Sequence, residues 1–263
     1  MMVKAIALFD LDMTLLNDDK QIAPENVAAL HALRANDVLP MLSTGRNLWE
    51  LHDLFRIGGL NSAIGANGAD IMYDGVHLMQ QPIGQPQIRR IVKMADEHNV
   101  AMAFFNDQHV AVTRRNAATE RNFLGFVKQP HPPVVPDFYE HEPVCMMLLF
   151  VPRTPAGDAI GAEFKAAFPE LAFYRNAEDT MDLVNNGITK ASGLAYLMRR
   201  PELQGVPTYA FGDGNNDIEI LQAATVGIAM GNALPQVAAV ADYQTGDYLH
   251  GGIPDALAHF HLI

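Results

Sequence analysis

The chain has 263 residues, 49% of them hydrophobic, and carries 18 lysines and arginines against 30 aspartates and glutamates, a formal charge of -12. That is apolar mass enough for one large domain or two modest packed ones, and the negative field repels nucleic-acid backbones and anionic lipid surfaces, so neither is an expected partner. A small anionic ligand is not excluded, because a bound divalent cation and a few local donors reverse the sign inside a cleft.

Residues 4–9 form a short apolar run ending in acid, the pattern of a buried parallel strand with polar residues at its carboxyl end. The run meets Asp10 and Asp12 without a small-residue cleavage site, so a strand is expected rather than a signal peptide. Asn17-Asp18-Asp19-Lys20 reads as a turn, and Pro24 opens a helical pattern through Val27, Leu30 and Leu33 that stops near Asn36-Asp37. A second strand over 38–42 runs into Ser43-Thr44-Gly45-Arg46; a helix on Leu48, Leu51, Leu54 and Phe55 and a short strand over 62–65 follow. Strand-helix alternation of this kind marks a parallel sheet covered on both faces.

The pattern changes after Met79. Asp74-Gly75 reads as a hairpin turn, residues 81–86 as a linker, and residues 87–98 as a helix. Strands are expected over 100–105, 109–113, 144–151, 171–174 and 179–184, with a Pro-rich connection at 130–136 and a helix over 157–168, which together make a small α+β module. The one cysteine, Cys145, lies in the apolar run 144–150 and reads as a buried thiol in a reducing compartment. From Thr189 the alternation returns: a helix to Arg200, a strand over 208–211, a helix after Asn215, a strand over 226–230 and further helices. No apolar stretch approaches the roughly 18 residues of a spanning helix, so the expectation is a cytoplasmic α/β protein whose core is interrupted by an inserted domain.

Asp10-Leu11-Asp12 puts two carboxylates two positions apart at a strand end, both facing one side in extended geometry. Alone, such a pair also serves to cap the following turn. A second acidic loop, Gly212-Asp213-Gly214-Asn215-Asn216-Asp217, follows another apolar strand. In a parallel sheet both loops lie at one carboxyl edge, where four carboxylates repel one another unless a cation sits among them. A hard cation with oxygen ligands fits, and magnesium suits because it keeps waters and accepts a phosphate oxygen. Thr44-Gly45-Arg46 adds a hydroxyl, exposed amides and a guanidinium, all able to hold phosphate oxygens; Lys190 opens the helix that returns from the insert.

Four ordered motifs, Phe9-Asp10-Leu11-Asp12-Met13-Thr14-Leu15-Leu16, Leu42-Ser43-Thr44-Gly45-Arg46, Gly187-Ile188-Thr189-Lys190 and Gly212-Asp213-Gly214-Asn215-Asn216-Asp217, resemble the haloacid dehalogenase (HAD) superfamily of phosphohydrolases. Asn67-Gly68-Ala69, Gly231-Asn232-Ala233 and Gly251-Gly252-Ile253 are similar to its Cof-like branch, which carries a type IIB cap inserted after the third core strand. The resemblance implies a Rossmann-like parallel-sheet core over residues 1–83 and 185–263 and an α+β cap over 84–184. It implies a magnesium-dependent phosphatase acting on a small phosphorylated metabolite, with Asp10 as nucleophile and Asp12 as general acid and then base. Thr44, with Gly45 and Arg46, would bind the transferring phosphoryl group, Asn67, Gly68 and Asn216 would line the substrate site, and Lys190 would neutralise Asp10. Asp213 would bind magnesium beside Asp10 and the Asp12 main-chain carbonyl, supported by Asp217. The sequence departs at Met13, where the family most often has glycine, and Ser43 offers a second hydroxyl beside Thr44.

Overall fold

The computed structural model describes residues 3–175 and 178–263. Two compact units emerge, one formed by Met1–Arg46, Glu50–Met79 and Thr189–Ile263, the other by Asn47–Trp49 and Gln80–Ile188.

The elements run β1 (Ala5–Phe9), α1 (Pro24–Ala35), β2 (Val38–Ser43), α2 (His52–Gly58), β3 (Ala63–Gly65), β4 (Asp70–Tyr73), β5 (Val76–Gln80), α3 (Gln85–Glu97), β6 (Met102–Phe105), β7 (Val110–Val112), α4 (Ala117–Glu120), α5 (Phe138–His141), β8 (Met146–Leu149), α6 (Pro155–Ala167), β9 (Leu171–Tyr174) and β10 (Met181–Asn185). They continue as α7 (Lys190–Leu197), β11 (Thr208–Gly212), α8 (Ile218–Ala223), β12 (Val226–Ala229), α9 (Pro235–Ala238), β13 (Tyr243–Gln244) and α10 (Gly252–His259).

In the first unit the sheet order is β13-β12-β11-β1-β2-β3-β4-β5, parallel from β13 to β3 and antiparallel where β4 turns back on β3. β1 is central, with all five residues buried, as expected of an apolar strand covered on both faces. Ile6 and Leu8 face one way and pack with Met41, Ile64, Leu194, Leu197, Ile220 and Leu221, the layer of α7 and α8. Phe9 stacks on Phe211 with ring centroids 4.9 Å apart. Each such buried aliphatic side chain contributes about 1.5–3 kcal/mol relative to exposure. The period of two then puts Asp10 on the Ile6 and Leu8 face, beneath α7.

The β4–β5 hairpin turns at Asp74-Gly75 with φ of 50° and 74°, the left-handed pair that a tight primed turn requires. Close approach explains Gly68: φ is +108°, and an added Cβ would lie 2.1 Å from the Thr189 carbonyl oxygen. Thr189 caps α7, its hydroxyl accepting from Ser192 N–H at 3.0 Å.

The second unit is an antiparallel sheet in the order β7-β6-β8-β10-β9. Alternate residues Phe104, Met147, Leu149 and Leu183 pack with Ile88, Ile91 and Phe164. Two of its helices start earlier than the apolar period alone indicates. α3 begins at Gln85 within the expected linker, because Pro86 is compatible with a first helical turn and Gly84 N–H donates to the Gln87 Oε1 at 3.0 Å. α6 begins at Pro155 behind Thr154, whose hydroxyl accepts from Gly157 N–H at 3.1 Å. A π-helical turn, Arg121–Phe126, has no counterpart in the sequence reading, since its six residues are too few to show a period. Cys145 is buried, its thiol donating to the Phe105 carbonyl at 3.4 Å.

Candidate active site

Asp10 directly follows β1, its N–H held by the Phe211 carbonyl at 3.0 Å. Its carboxylate accepts a hydrogen bond from Lys190 Nζ at 2.6 Å, and the same ammonium donates to Asp217 at 2.6 Å. Lys190 is the first residue of α7, and its side chain is 0% exposed. A cation at a helix N-terminus opposes the macrodipole. Burial alone would strip its proton, yet the two carboxylates outweigh burial and hold it above the ordinary lysine value.

The loop after β11 supplies the remaining acids. Asp217 turns its second oxygen back to accept from Asp213 N–H at 3.1 Å and Gly214 N–H at 3.0 Å, closing the turn. Gly212 leaves room for this, since an added Cβ would come within 2.4 Å of the Asp217 carboxyl carbon. Asp213 accepts from the Thr14 hydroxyl at 3.0 Å. Asp10, Asp213 and Asp217 each present an oxygen within 4.8 Å of the others. Burial, then the neighbouring Asp217 charge, pushes Asp213 up to about 7, and burial raises Asp10 well above the usual carboxylate range. Three carboxyl groups so gathered, all hard oxygen donors, suit a divalent cation, which would favour their ionised forms.

Asp12 is turned elsewhere. Arg46 grips it with both arms of its guanidinium, Nε to Oδ2 at 3.0 Å and a terminal nitrogen to Oδ1 at 2.8 Å, and Lys20 Nζ donates to Oδ1 at 2.7 Å. Burial opposes ionisation, but Arg46 and then Lys20 outweigh it and bring the carboxyl to about 2. Its carboxylate is thus outside the group formed by Asp10, Asp213 and Asp217.

Thr44 continues β2, its N–H bonded to the Ile64 carbonyl and its carbonyl accepting from Asn67 N–H at 3.0 Å. Its hydroxyl accepts from Arg46 N–H at 3.0 Å, which shapes the Thr44-Gly45-Arg46 turn. Ser43 is buried, and its hydroxyl has no hydrogen-bond partner among the described residues. Asn216 donates to the Asn67 side chain at 3.0 Å. Gly68 packs against the Thr189 carbonyl, as described above. No sequence pattern gives Thr14, Lys20 or Asn232 a function. Asn232 donates to the Met13 carbonyl at 2.9 Å across 219 positions, a contact with no local pattern. Lys20 reaches Asp12 from a left-handed turn residue, φ 59°, which spacing does not reveal.

A family model for haloacid dehalogenase-like hydrolases matches residues 7–257. The chain belongs to that family. It is 26% identical over 267 residues to an HMP-PP phosphatase of Klebsiella pneumoniae, covering 97% of this chain and 95% of that one. It is 27% identical over 265 residues to the 5-amino-6-(5-phospho-D-ribitylamino)uracil phosphatase YcsE of Bacillus subtilis, covering 99% and 96%. Among solved structures, the HAD subclass IIB sugar phosphatase BT4131 superposes with a TM-score of 0.84 at 26% identity over 98% of this chain and 100% of that one. This HAD hydrolase is therefore a phosphatase of the Cof-like branch with a type IIB cap, built on an α/β core. Among the described residues, no helix is long and apolar enough to cross a membrane.

Proposed function

We propose that this HAD phosphatase hydrolyses the phosphomonoester of a small metabolite, of the sugar-phosphate class, through a covalent phosphate on Asp10. The observation that carries the reading is the buried ion-paired group at the carboxyl edge of the sheet: Asp10 and Asp217 held by Lys190, with Asp213 beside them. The names of the Klebsiella and Bacillus relatives support a small phosphorylated metabolite, and that of BT4131 supports the sugar-phosphate class. A reduced, buried Cys145 is in keeping with a cytoplasmic enzyme.

In the first half-reaction an Asp10 oxygen attacks phosphorus as the bond from phosphorus to the leaving oxygen breaks, and Asp12 donates a proton to the departing alcohol. In the second, water attacks the phosphorus of the acyl phosphate, Asp12 takes its proton, and Asp10 is released with inorganic phosphate. The Arg46 and Lys20 contacts keep Asp12 ionised, the form the second half needs. The negative charge of the incoming phosphoryl group opposes those cations and raises its proton affinity, which suits the first. Lys190 limits charge build-up on Asp10 and the transferring oxygens, while the Thr44 hydroxyl, steadied by the Arg46 N–H it accepts from, the Gly45 amide and the Asn67 and Asn216 pair, beside Gly68, form the cradle for the phosphoryl group and its substrate. Magnesium, held by Asp10, Asp213 and the Asp12 main-chain carbonyl with Asp217 in support, would draw charge from the phosphoryl oxygens.

The test is phosphate release from a panel of sugar phosphates and aryl phosphates, with magnesium, with EDTA, and with Asp10→Asn. Magnesium-dependent turnover lost in both perturbations is expected. Undiminished turnover by Asp10→Asn would sink the covalent route.

A further inference from the structure

We infer that Asn232 is a positioning residue that sets the angle of the segment after the nucleophile and so places the Asp12 carboxylate; the inference rests on the acid-base reading of Asp12. Met13, next to Asp12, is left-handed with φ 60°, a conformation that strains a non-glycine residue. Something must hold it there. The Asn232 Nδ2 donates to the Met13 carbonyl at 2.9 Å, and its Oδ1 accepts from Tyr248 N–H at 3.3 Å. Only this orientation of the carboxamide satisfies both neighbours, a carbonyl and an N–H. One hydrogen bond farther, the Tyr248 hydroxyl donates to Asp18 at 2.6 Å, gripping the same segment a second time.

Asn232 can act as a fixed point because its own loop is anchored on both sides. Met230 N–H donates to the Gly212 carbonyl at 3.0 Å, and Leu234 N–H to the Asp213 carbonyl at 3.1 Å. Gly231 lies against Gly246 and Asp247, with no room for a side chain, since an added Cβ would lie 2.8 Å from main-chain atoms. The loop that carries Asp213 therefore carries Asn232 as well, while Thr14 donates to Asp213 at 3.0 Å. The Met13-Thr14 peptide is held from two directions on a platform shared with the Asp213 carboxylate. Releasing the Met13 carbonyl frees that residue to relax toward negative φ, and Asp12, one residue before it, moves with the chain.

The experiment compares Asn232→Ala and Asn232→Asp with wild type on p-nitrophenyl phosphate and on an alkyl phosphate, whose poor leaving group depends more on a proton donor. Asn232→Asp keeps the acceptor for Tyr248, loses the donor to Met13 and turns a carboxylate oxygen toward the Met13 carbonyl, which repels it. Expected for both is a fall in kcat of about tenfold on the alkyl phosphate, part of the 10²–10⁴ that acid-base catalysis supplies, with a smaller fall in the p-nitrophenol burst and KM little changed. In an Asp12→Asn background the same substitutions should cost nothing further. Adding Met13→Gly to Asn232→Ala should restore part of the loss, because glycine adopts positive φ freely. Equal losses on both substrates, or a full loss persisting in the Asp12→Asn background, would reduce Asn232 to a structural tether and overturn the inference. Wild-type rates in both Asn232 variants, with Asp10→Asn inactive, would overturn it while leaving the covalent mechanism standing; an Asp10→Asn enzyme that still turned over would remove the mechanism and the inference together.

Discussion

Replacing Lys190 with methionine keeps the length of the side chain and removes its charge from the most enclosed ion group of the core. The ammonium is 0% exposed and lies 2.6 Å from both Asp10 and Asp217, whose side chains are 11% and 1% exposed. Removing one partner of a buried charge group leaves uncompensated charge and costs about 3–5 kcal/mol. At about 2–4 °C per kcal/mol for a chain of this size, the melting temperature should fall by roughly 6–20 °C. Thermal unfolding followed by circular dichroism in EDTA reads this directly. The paired change Lys190→Met with Asp217→Asn should recover a large part of the loss, because only one buried carboxylate then lacks a counter-charge. A single variant melting within about 4 °C of wild type, roughly 1 kcal/mol, together with a double variant no better than the single, would mean that the ammonium does not compensate the two carboxylates.

Gly68→Ala, at φ +108° and with the Thr189 carbonyl 2.1 Å from the new Cβ, should destabilise by roughly 2–4 kcal/mol and lower kcat by shifting the start of α7, measured by melting and steady-state turnover. Gly75→Ala, at φ +74° in an open hairpin turn, should cost only about 1 kcal/mol and leave kcat unchanged. Magnesium at about one hundred times its dissociation constant should stabilise the wild type by about 2.7 kcal/mol, and Asp213→Asn should lose most of that gain in the same melt.

The parts of the fold readable in the sequence are those whose signal is local. The buried run of β1, the Pro24 start of α1 and the Asp74-Gly75 turn each rest on neighbouring residues, and the structure contains all three. Asp10, Thr44 and Asp213 were legible as loop residues because each follows an apolar strand, and a parallel sheet carries such ends to one edge. Lys190 was legible only through its motif, since its burial depends on Asp10, 180 positions away. The Arg46 and Lys20 grip on Asp12, and the Asn232 contact to Met13, depend on backbone turns and distant loops, so no period or spacing could announce them. The short helices α4 and α5 and the π-helical turn between them have too few residues to show a repeat.

Passage of the phosphoryl group through Asp10 can be read from the residue itself. The enzyme would be mixed with magnesium and p-nitrophenyl phosphate, quenched in acid within one turnover, reduced with borohydride and digested for mass spectrometry. An acyl phosphate at this position predicts homoserine in place of Asp10, absent when substrate or magnesium is omitted. Rapid turnover with Asp10 recovered unmodified, or with homoserine at a different aspartate, would contradict the account.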